Sequence, residues 1–381
     1  MNVRITTLGL LAALATSACA GDDLVAPPGP GDRLTPAVAA TTEDGPAELR
    51  GAARLTFLSR NLYIGTDLNV VVQALASPSP TDNLPALLDA IGDLQVTAWP
   101  ARVNAIADEI ARERPHAVGL QEVWKVDINL VPLGLNVDIH LDFLTSLTAA
   151  LAERGLTYNV AVVGPAVSAS PMPGIAVLDR DVILIDPTRV SVDAGSAVAT
   201  LFAANIGVVA AGVNVRRGWV SVNATIEGES LRLVNTHLES GRSAAVTGLR
   251  ALQAGQLMRT LIGVERVVLL GDFNDVPGSP MYQVVTNAQL TDVWGEMRPG
   301  VEGFTCCHTE VLSNTHAQDA FSRRIDYVFA RGLEHSNGKL LGQVRLTGVQ
   351  PGDRLEGPQF MIWPSDHAGV SANLLLPAND R

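Results

Sequence analysis

Six segments of this sequence place chemically capable side chains where an apolar run stops or starts. Residues 267–270 are four aliphatics, Gly271 breaks the run, and Asp272, Asn274 and Asp275 follow at once. "LTFLSRN" ends at Asn61, "HAVGLQE" at Glu122 and "LRLVNTH" at His237. "RRIDYVF" carries Asp326, and "WPSDHAGVSANLLL" opens with Asp366 and His367. Gly, Asn, Asp and Pro end strands everywhere, so any one of these alone reads as turn chemistry. Together they form a complementary set. Carboxylates take up a hard cation or a proton, imidazoles titrate near neutrality, and amides donate hydrogen bonds without charge. A buried strand is a rigid mount, which such groups need if they are to act on one target. Asp326, flanked by Ile325 and Tyr327, is costly inside a strand unless it is paired.

Taken in order, Asn61, Gln121–Glu122, the "NTH" ending at His237, the "GDFN" ending at Asn274, the "RIDYV" around Asp326 and the "SDH" ending at His367 resemble the endonuclease/exonuclease/phosphatase superfamily. That superfamily includes deoxyribonuclease I, exonuclease III, apurinic endonucleases, bacterial sphingomyelinases and inositol polyphosphate 5-phosphatases. The resemblance runs from about residue 54 to residue 377. It implies hydrolysis of a phosphate ester, which needs charge neutralised on the phosphoryl oxygens, an aligned nucleophile and help for the leaving oxygen. Glu122 is similar to the family's principal metal ligand, Asn61 to the Asn beside that metal, and Asp366 is expected on the metal side. Mg²⁺ is the implied cofactor, with Mn²⁺ or Ca²⁺ as substitutes, because a hard cation takes one or two carboxylates and keeps several waters. Asp272 matches the Asp that positions the attacking water. Asn274 and His237 match the groups that hydrogen-bond the phosphoryl oxygens. His367 matches the catalytic His, a general base or a protonated stabiliser, with Asp326 holding its second nitrogen.

Two stretches depart from the family pattern. Its nucleases carry Asp two places after the early Asn, where this chain has Tyr63; Asp67 serves only if the segment loops round. The loop after Glu122, "WKVDINLVPLGLNVDIHLDF", is long and apolar, unlike one that faces DNA. It reads as a lid, a lipid-contacting segment or core packing.

The elements that must carry these residues are legible as apolar runs. Strands are expected at "RLTFLSRNL", "AVGLQEV", "YNVAVVG", "DVILID", "WVSVNATI", "LRLVNTHL", "RVVLLGDF", "RIDYVFA" and "GVSANLLL". Helices are expected where apolar residues recur at helical spacing. One carries Val103, Ile106, Ala107 and Ile110 and is ended by Pro115. A second carries Leu141, Leu144, Leu147 and Leu151 and stops at Gly155. A third carries Leu249, Leu252, Leu257 and Leu261. Strand pairs mixed with helices predict an α/β (α+β) fold, which the resemblance sharpens to a four-layer sandwich of two mixed β-sheets packed face to face with helices outside.

Composition bounds the rest. In 381 residues, 47 % hydrophobic and 17 % charged, there is enough apolar material for a large core. The net charge of −12 argues against a broad basic surface that grips nucleic acid, though a bound cation inverts a local field. No G-x-S-x-G elbow or G-x-x-x-x-G-K-[ST] loop is present, so serine hydrolases and nucleotide-dependent transferases find no support. Residues 1–19 read as a signal peptide of the lipoprotein type with Cys19 as the lipidated residue; an ordinary leader cut at Ala18 or Ala20 is the alternative. Residues 20–50, rich in Pro, Gly, Ala and Thr, read as a flexible linker, and 51–378 as the catalytic domain. Cys306 and Cys307 form either a vicinal bridge or two packed thiols, and ligand spacing for zinc is lacking. His116, His140, His308, His316 and His335 are assigned to structure or surface, and Asp275 to the turn.

The expectation is a monomeric, secreted or membrane-anchored, divalent-metal-dependent phosphoesterase of the cell envelope or exterior. Its substrate would be a phosphodiester in a nucleic acid, a phospholipid or sphingolipid head group, or a small phosphorylated metabolite. A membrane attachment would run through the lipidated N-terminus. The competing class is a catalytically inactive surface binding or adhesion module on the same fold, which should have lost some of these positions.

Overall fold

Successive strand residues point to opposite faces, so a strand apolar on both faces must be covered twice. In Arg54–Asn61, Leu55 and Phe57 point into one core and Leu58 into another. In Val267–Asp272, Val268 and Leu270 point into the first of those cores and Val267 and Leu269 into a third. The chain therefore folds as four layers, helix–sheet–sheet–helix, as expected. The computed structural model describes residues 53–77, 83–210 and 212–376. The leader, Cys19 and the whole of the stretch 20–50 assigned to the linker lie outside the described residues.

Among the described residues the first sheet has ten strands. Its main path runs Leu341–Thr347, Gly369–Leu375, Arg54–Asn61, Ala117–Gln121, Ile175–Ile185, Asn159–Ala169, Val213–Val215 and Gly207–Ala210. The second has seven, on a path Thr291–Asp292, Asp326–Arg331, Val267–Asp272, Glu229–His237, Gly218–Ile226 and Val190–Val192, with Val198–Leu201 also pairing to Gly218–Ile226. Each sheet contains one parallel pair. Arg54–Asn61 runs beside Ala117–Gln121 so that Asn61 faces Gln121, and Glu229–His237 runs beside Val267–Asp272 so that His237 faces Asp272. Parallel neighbours finish at the same edge. The antiparallel strand Asp326–Arg331 begins at that edge, Asp326 opposite Asp272, and Gly369–Leu375 begins where Arg54–Asn61 ends. Strand direction thus brings the motifs of each sheet to one edge, and the face-to-face packing of the sheets lays the two edges together.

The three expected helices form as Trp99–Glu113, Phe143–Glu153 and Ala244–Thr260. The first two cover the first sheet, with the Trp99 and Phe143 rings stacked at 3.7 Å. In the third, Leu257 and Leu261 are buried as expected, but the rest of the stripe differs. It runs through Val246, Arg250, Gln253, Ala254, Leu257 and Met258, while Leu252 is 65 % exposed. Polar contacts decide this. Arg250 binds Asp275 at 3.0 Å and the Glu239 and Gly241 carbonyls, and Gln253 accepts from the Glu239 N–H. The helix is rotated to brace the loop that follows His237. Asp275 accordingly does more than turn the chain. Leu68–Ala76 escaped the periodicity reading because its three consecutive valines look like a strand. Asp67 caps it by accepting from the Asn69 N–H.

The long segment after Glu122 is a hairpin, Lys125–Asn129 with Asp138–Asp142, joined to the first sheet. Val126, Ile128 and Leu130 are core, whereas Val131 and Leu133 at the tip are 53 % and 55 % exposed.

Between the sheets lies a buried amide bridge. Gln121 Nε2 donates to Asn235 Oδ1 at 2.6 Å, and Asn235 Nδ2 donates to the Leu120 and Val182 carbonyls at 2.8 and 3.0 Å. Gly119 makes room for it: a Cβ there would stand 2.8 Å from Asn235 Oδ1 and 2.8 Å from Leu270 Cβ. Gly119→Ala should therefore cost about 1–3 kcal/mol through overpacking. Thermal or urea unfolding reads this, and an unchanged midpoint would show that the sheets separate there without penalty.

Candidate active site

The site begins with Asn61, which is fully buried at the end of its strand. Its Oδ1 accepts from the Tyr63 N–H at 2.9 Å, so the amide nitrogen faces the rim. Nδ2 lies 3.1 Å from Glu122 Oε1, carried by the first sheet, and 3.1 Å from Asp272 Oδ2, carried by the second. Asn61 thus holds two carboxylates apart and aimed, and its oxygen, which accepts one hydrogen bond, keeps a second lone pair. Glu122 Oε2 accepts from the Ile64 N–H and from Trp124 Nε1, both at 3.2 Å. Glu122 and Asn274 both have positive φ, 56° and 52°. That backbone is uncommon for residues with a Cβ and turns their side chains across the rim.

His367 Nδ1 is 2.8 Å from Asp326 Oδ2 and 3.8 Å from Asp272 Oδ2, and its Nε2 is 3.9 Å from Asp366 Oδ2. Burial by itself would lower its pKa. Asp326, Asp366 and Asp272 outweigh burial and hold it well above the usual value, which favours the imidazolium. Asp272 is pushed up to about 7, first by burial and then by the Asp326 charge, against the opposing pull of His367. Asp366 rises to about 6, chiefly through burial, with Glu122 and Asp326 adding repulsion and His367 opposing. Asp326 is itself held: its N–H and that of Ile325 donate to Thr305 Oγ1 at 3.2 and 3.1 Å.

His237 is the second imidazole, and its environment has the opposite sign. Nε2 is 3.0 Å from Asn274 Nδ2 and 3.5 Å from Asp272 Oδ2, while Nδ1 is 2.9 Å from Arg217 Nη1. Burial, then Arg217 and His367, hold its pKa well below the usual value, so the ring is neutral.

All eight residues singled out from sequence therefore meet in one continuous contact network: Asn61, Glu122, His237, Asp272, Asn274, Asp326, Asp366 and His367. Asp67 does not join it. Its carboxylate caps a helix and its N–H donates to Glu310 Oε1 at 2.8 Å. Tyr63 stands where the family's nucleases carry Asp, and its hydroxyl donates to the Glu310 carbonyl at 2.8 Å. Cys306 and Cys307 are joined as a vicinal bridge, the first of the two readings, and their sulfurs lie near the His367 ring. His116, His308 and His335 are buried structural groups; His308 stacks on Trp363 at 4.4 Å. His140 and His316 are exposed, each bound to Asp.

Sequence reasoning missed Arg217, Asp179, Asp181 and Glu239, which are buried behind His237. A signal was present for two of them. In "VLDRDVILI" Asp179 and Asp181 fall on the same strand face as the core residues Ile183 and Ile185, an arrangement that demands a buried partner.

The donor set suits a hard cation. Glu122 and Asp366 are partly buried carboxylates whose mutual repulsion contributes to the raised Asp366 pKa, a repulsion that a divalent ion relieves. Asp272, Asp326 and His367 form a further cluster with ligand atoms within 4.8 Å of one another, although there the imidazole nitrogen is already committed to Asp326.

Two face-to-face mixed sheets that gather carboxylates, amides and imidazoles on one rim define the class: an α/β sandwich of the kind found in metal-dependent phosphoesterases. The Endonuclease/Exonuclease/phosphatase family model matches residues 83–367, and the chain belongs to that family, whose enzymes are hydrolases of phosphoester bonds and generally depend on a divalent metal. Asn61 precedes the matched residues but lies in the same sheet. Among solved structures, the chain is similar to an endonuclease/exonuclease/phosphatase from Beutenbergia cavernae, with 20 % identity over 85 % of this chain and 72 % of that one and a TM-score of 0.54. A family protein from Bacteroides thetaiotaomicron is similar at 15 % identity over 86 % and 99 % of the two chains, TM-score 0.53. A mannosyl-6-phosphatase of the same organism is similar at 15 % identity over 84 % and 99 %, TM-score 0.51. At these identities the likeness concerns the fold. No curated protein matches the chain in sequence.

Asp326→Asn removes the largest of the charges that raise the His367 pKa, so that pKa should fall. Titration of the His367 ring proton by NMR in metal-free protein reads the shift. An unmoved pKa would mean that Asp366 and Asp272 alone keep the ring charged.

Proposed function

We propose that this chain is an exported, divalent-metal-dependent phosphodiesterase. The observation that supports this most is the pairing of a neutral His237 with a charged His367 on either side of Asp272. Glu122 and Asp366, oriented in part by Asn61, would hold Mg²⁺, Mn²⁺ or Ca²⁺, which when bound neutralises charge on the phosphoryl oxygens. His237 and Asn274 donate hydrogen bonds to those oxygens. Asp272, with a pKa near neutrality, takes the proton of the attacking water, as a general base tuned to its working pH does. His367, pinned by Asp326, presents Nε2–H as a cationic donor, so the stabiliser reading is preferred to the base. The inactive-module alternative loses support because every position of the network is retained.

The substrate favoured is a phosphodiester that is not part of a long polyanion. The chain is acidic, with net charge −12, and Glu310 and Asp93 add carboxylates close to Tyr63 and Thr66 beside the rim. Val131 and Leu133 project from the hairpin that follows Glu122, which suits a lipid-borne head group. The leader-like residues 1–19 and Cys19 are consistent with an envelope-attached or secreted enzyme; nucleic acid is the second reading.

His367→Ala and Asp272→Asn should each lower kcat by roughly 10²–10⁴-fold on bis-p-nitrophenyl phosphate, with far-ultraviolet circular dichroism unchanged. EDTA should abolish activity and Mg²⁺ or Mn²⁺ restore it. Near wild-type turnover in either variant refutes the role of that residue, and hydrolysis in the presence of chelator refutes the metal. Under one metal condition, sphingomyelin vesicles should be cleaved faster than plasmid DNA or an inositol phosphate; faster cleavage of DNA would reverse the substrate order.

A further inference from the structure

In the proposed reaction His237 acts through Nε2, while Nδ1 faces inward to a buried group. The strand Gly218–Ile226 pairs antiparallel with Glu229–His237 so that Gly218 lies opposite His237, which brings Arg217, one residue earlier, alongside the imidazole. Its backbone is pinned: the N–H donates to Asn205 Oδ1 at 2.6 Å and the carbonyl accepts from the Phe202 N–H at 2.9 Å. The side chain is 8 % exposed, with Nη1 2.9 Å from His237 Nδ1 and 3.5 Å from Asp179 Oδ2, and Nε 3.8 Å from Glu239 Oε1.

A guanidinium offers donors only and keeps its proton under all ordinary conditions. The nitrogen that faces it must therefore present a lone pair. An imidazole with a lone pair on Nδ1 carries its one hydrogen on Nε2, and an imidazolium would set N–H against N–H. We propose that Arg217 is a positioning residue that locks His237 in the neutral Nε2–H tautomer, so that this histidine serves only as a hydrogen-bond donor and never as the base or acid. The consequence for turnover rests on the phosphodiesterase reading; the tautomer does not.

Two further observations fit. First, Nε2 is the ring nitrogen with an acceptor in reach, Asp272 Oδ2 at 3.5 Å, whereas Nδ1 faces the guanidinium; the neutral Asn274 amide, 3.0 Å from Nε2, has one of its two hydrogens engaged by the Leu238 carbonyl at 3.1 Å. With Nε2–H a donor, Nε2 and Asn274 Nδ2 are two donors side by side, an arrangement that an anionic oxygen accepting from both would satisfy, as in an oxyanion hole. Second, the carboxylates behind His237 do not touch the imidazole. Asp179 and Asp181 point inward from one strand face, and they act on Arg217. Both Asp179 oxygens and Glu239 Oε2 lack a hydrogen-bond partner, so these side chains serve as counter-charge for a buried cation more than as hydrogen-bonding groups. A carboxylate placed directly on Nδ1 would make His237 basic, as Asp326 does for His367. Arg217 reverses that sign.

The test is ¹⁵N NMR of histidine-labelled, metal-free protein at pH 7, with kinetics on bis-p-nitrophenyl phosphate beside it. Wild type should show His237 with a lone-pair Nδ1 and a protonated Nε2. Arg217→Met should lose that signature and lower kcat about 10²-fold while KM stays within about twofold, the loss typical of a donor aimed at developing charge. Arg217→Lys, which keeps a cationic donor, should retain the tautomer and recover part of kcat. Wild-type His237 protonated at Nδ1, or at both nitrogens, overturns the inference, as does an unchanged tautomer in a folded Arg217→Met. If Arg217→Met does not fold, the wild-type and lysine spectra decide. The expected spectra in a wild type that hydrolyses no phosphoester would instead sink the function and leave the lock standing.

Discussion

Asn61 holds the two halves of the rim together. Its amide is within 3.1 Å of a carboxylate from each sheet, and its own oxygen is anchored to the backbone two residues on. Carboxylates facing each other from the two sheets repel, and the Asn61 amide between them offsets that repulsion. The rest of the site is arranged around that contact. Asp272 reaches from it to both imidazoles, and Glu122 reaches outward, where a cation is to be met. Behind it, the bridge from Gln121 to Asn235 sets the spacing of the sheets, and Gly119 leaves the space for that bridge.

Sheet direction explains why so few contacts are needed. A parallel pair places two strand ends side by side, and an antiparallel neighbour adds a strand beginning at the same edge. Each sheet uses one parallel pair, and the two pairs end on the same rim. The polar groups inherit their positions from the pleat, so the site is as rigid as the core beneath it.

Electrostatics then gives two similar side chains different roles. His367 and His237 are both buried, and burial lowers the pKa of each. The difference is the partner on Nδ1: a carboxylate for one, a guanidinium for the other. The carboxylate favours the charged form of the first and the guanidinium the neutral form of the second, with Asp272 within 4 Å of both. Separating two imidazoles in this way lets one site hold a cationic donor and a neutral donor at a single pH.

What could be read from the chain and what could not divides along the range of the interactions concerned. The strands "RLTFLSRNL" and "RVVLLGDF", the helix around Val103 to Ile110 and the polar residues at strand ends were legible because each is a local pattern: an apolar run, a helical period, a break at Gly271. Their order along the chain pointed to the family, and so to the sandwich. Local pattern misled where long-range contacts overrode it. Leu252 faces water because Arg250 and Gln253 are needed inside; in Leu68–Ala76 the overlooked signal was itself local, the Asp67 cap that starts a helix through three valines. The sequence by itself determined which residues stand at the mouths of strands, since periodicity depends on neighbours a few positions away. Only the tertiary structure decided that those mouths share a rim, that Asp67 stays out of it, and that His237 meets Arg217 where His367 meets Asp326. Those outcomes depend on residues tens to hundreds of positions apart, and on charges whose effect is set by burial that no single segment contains.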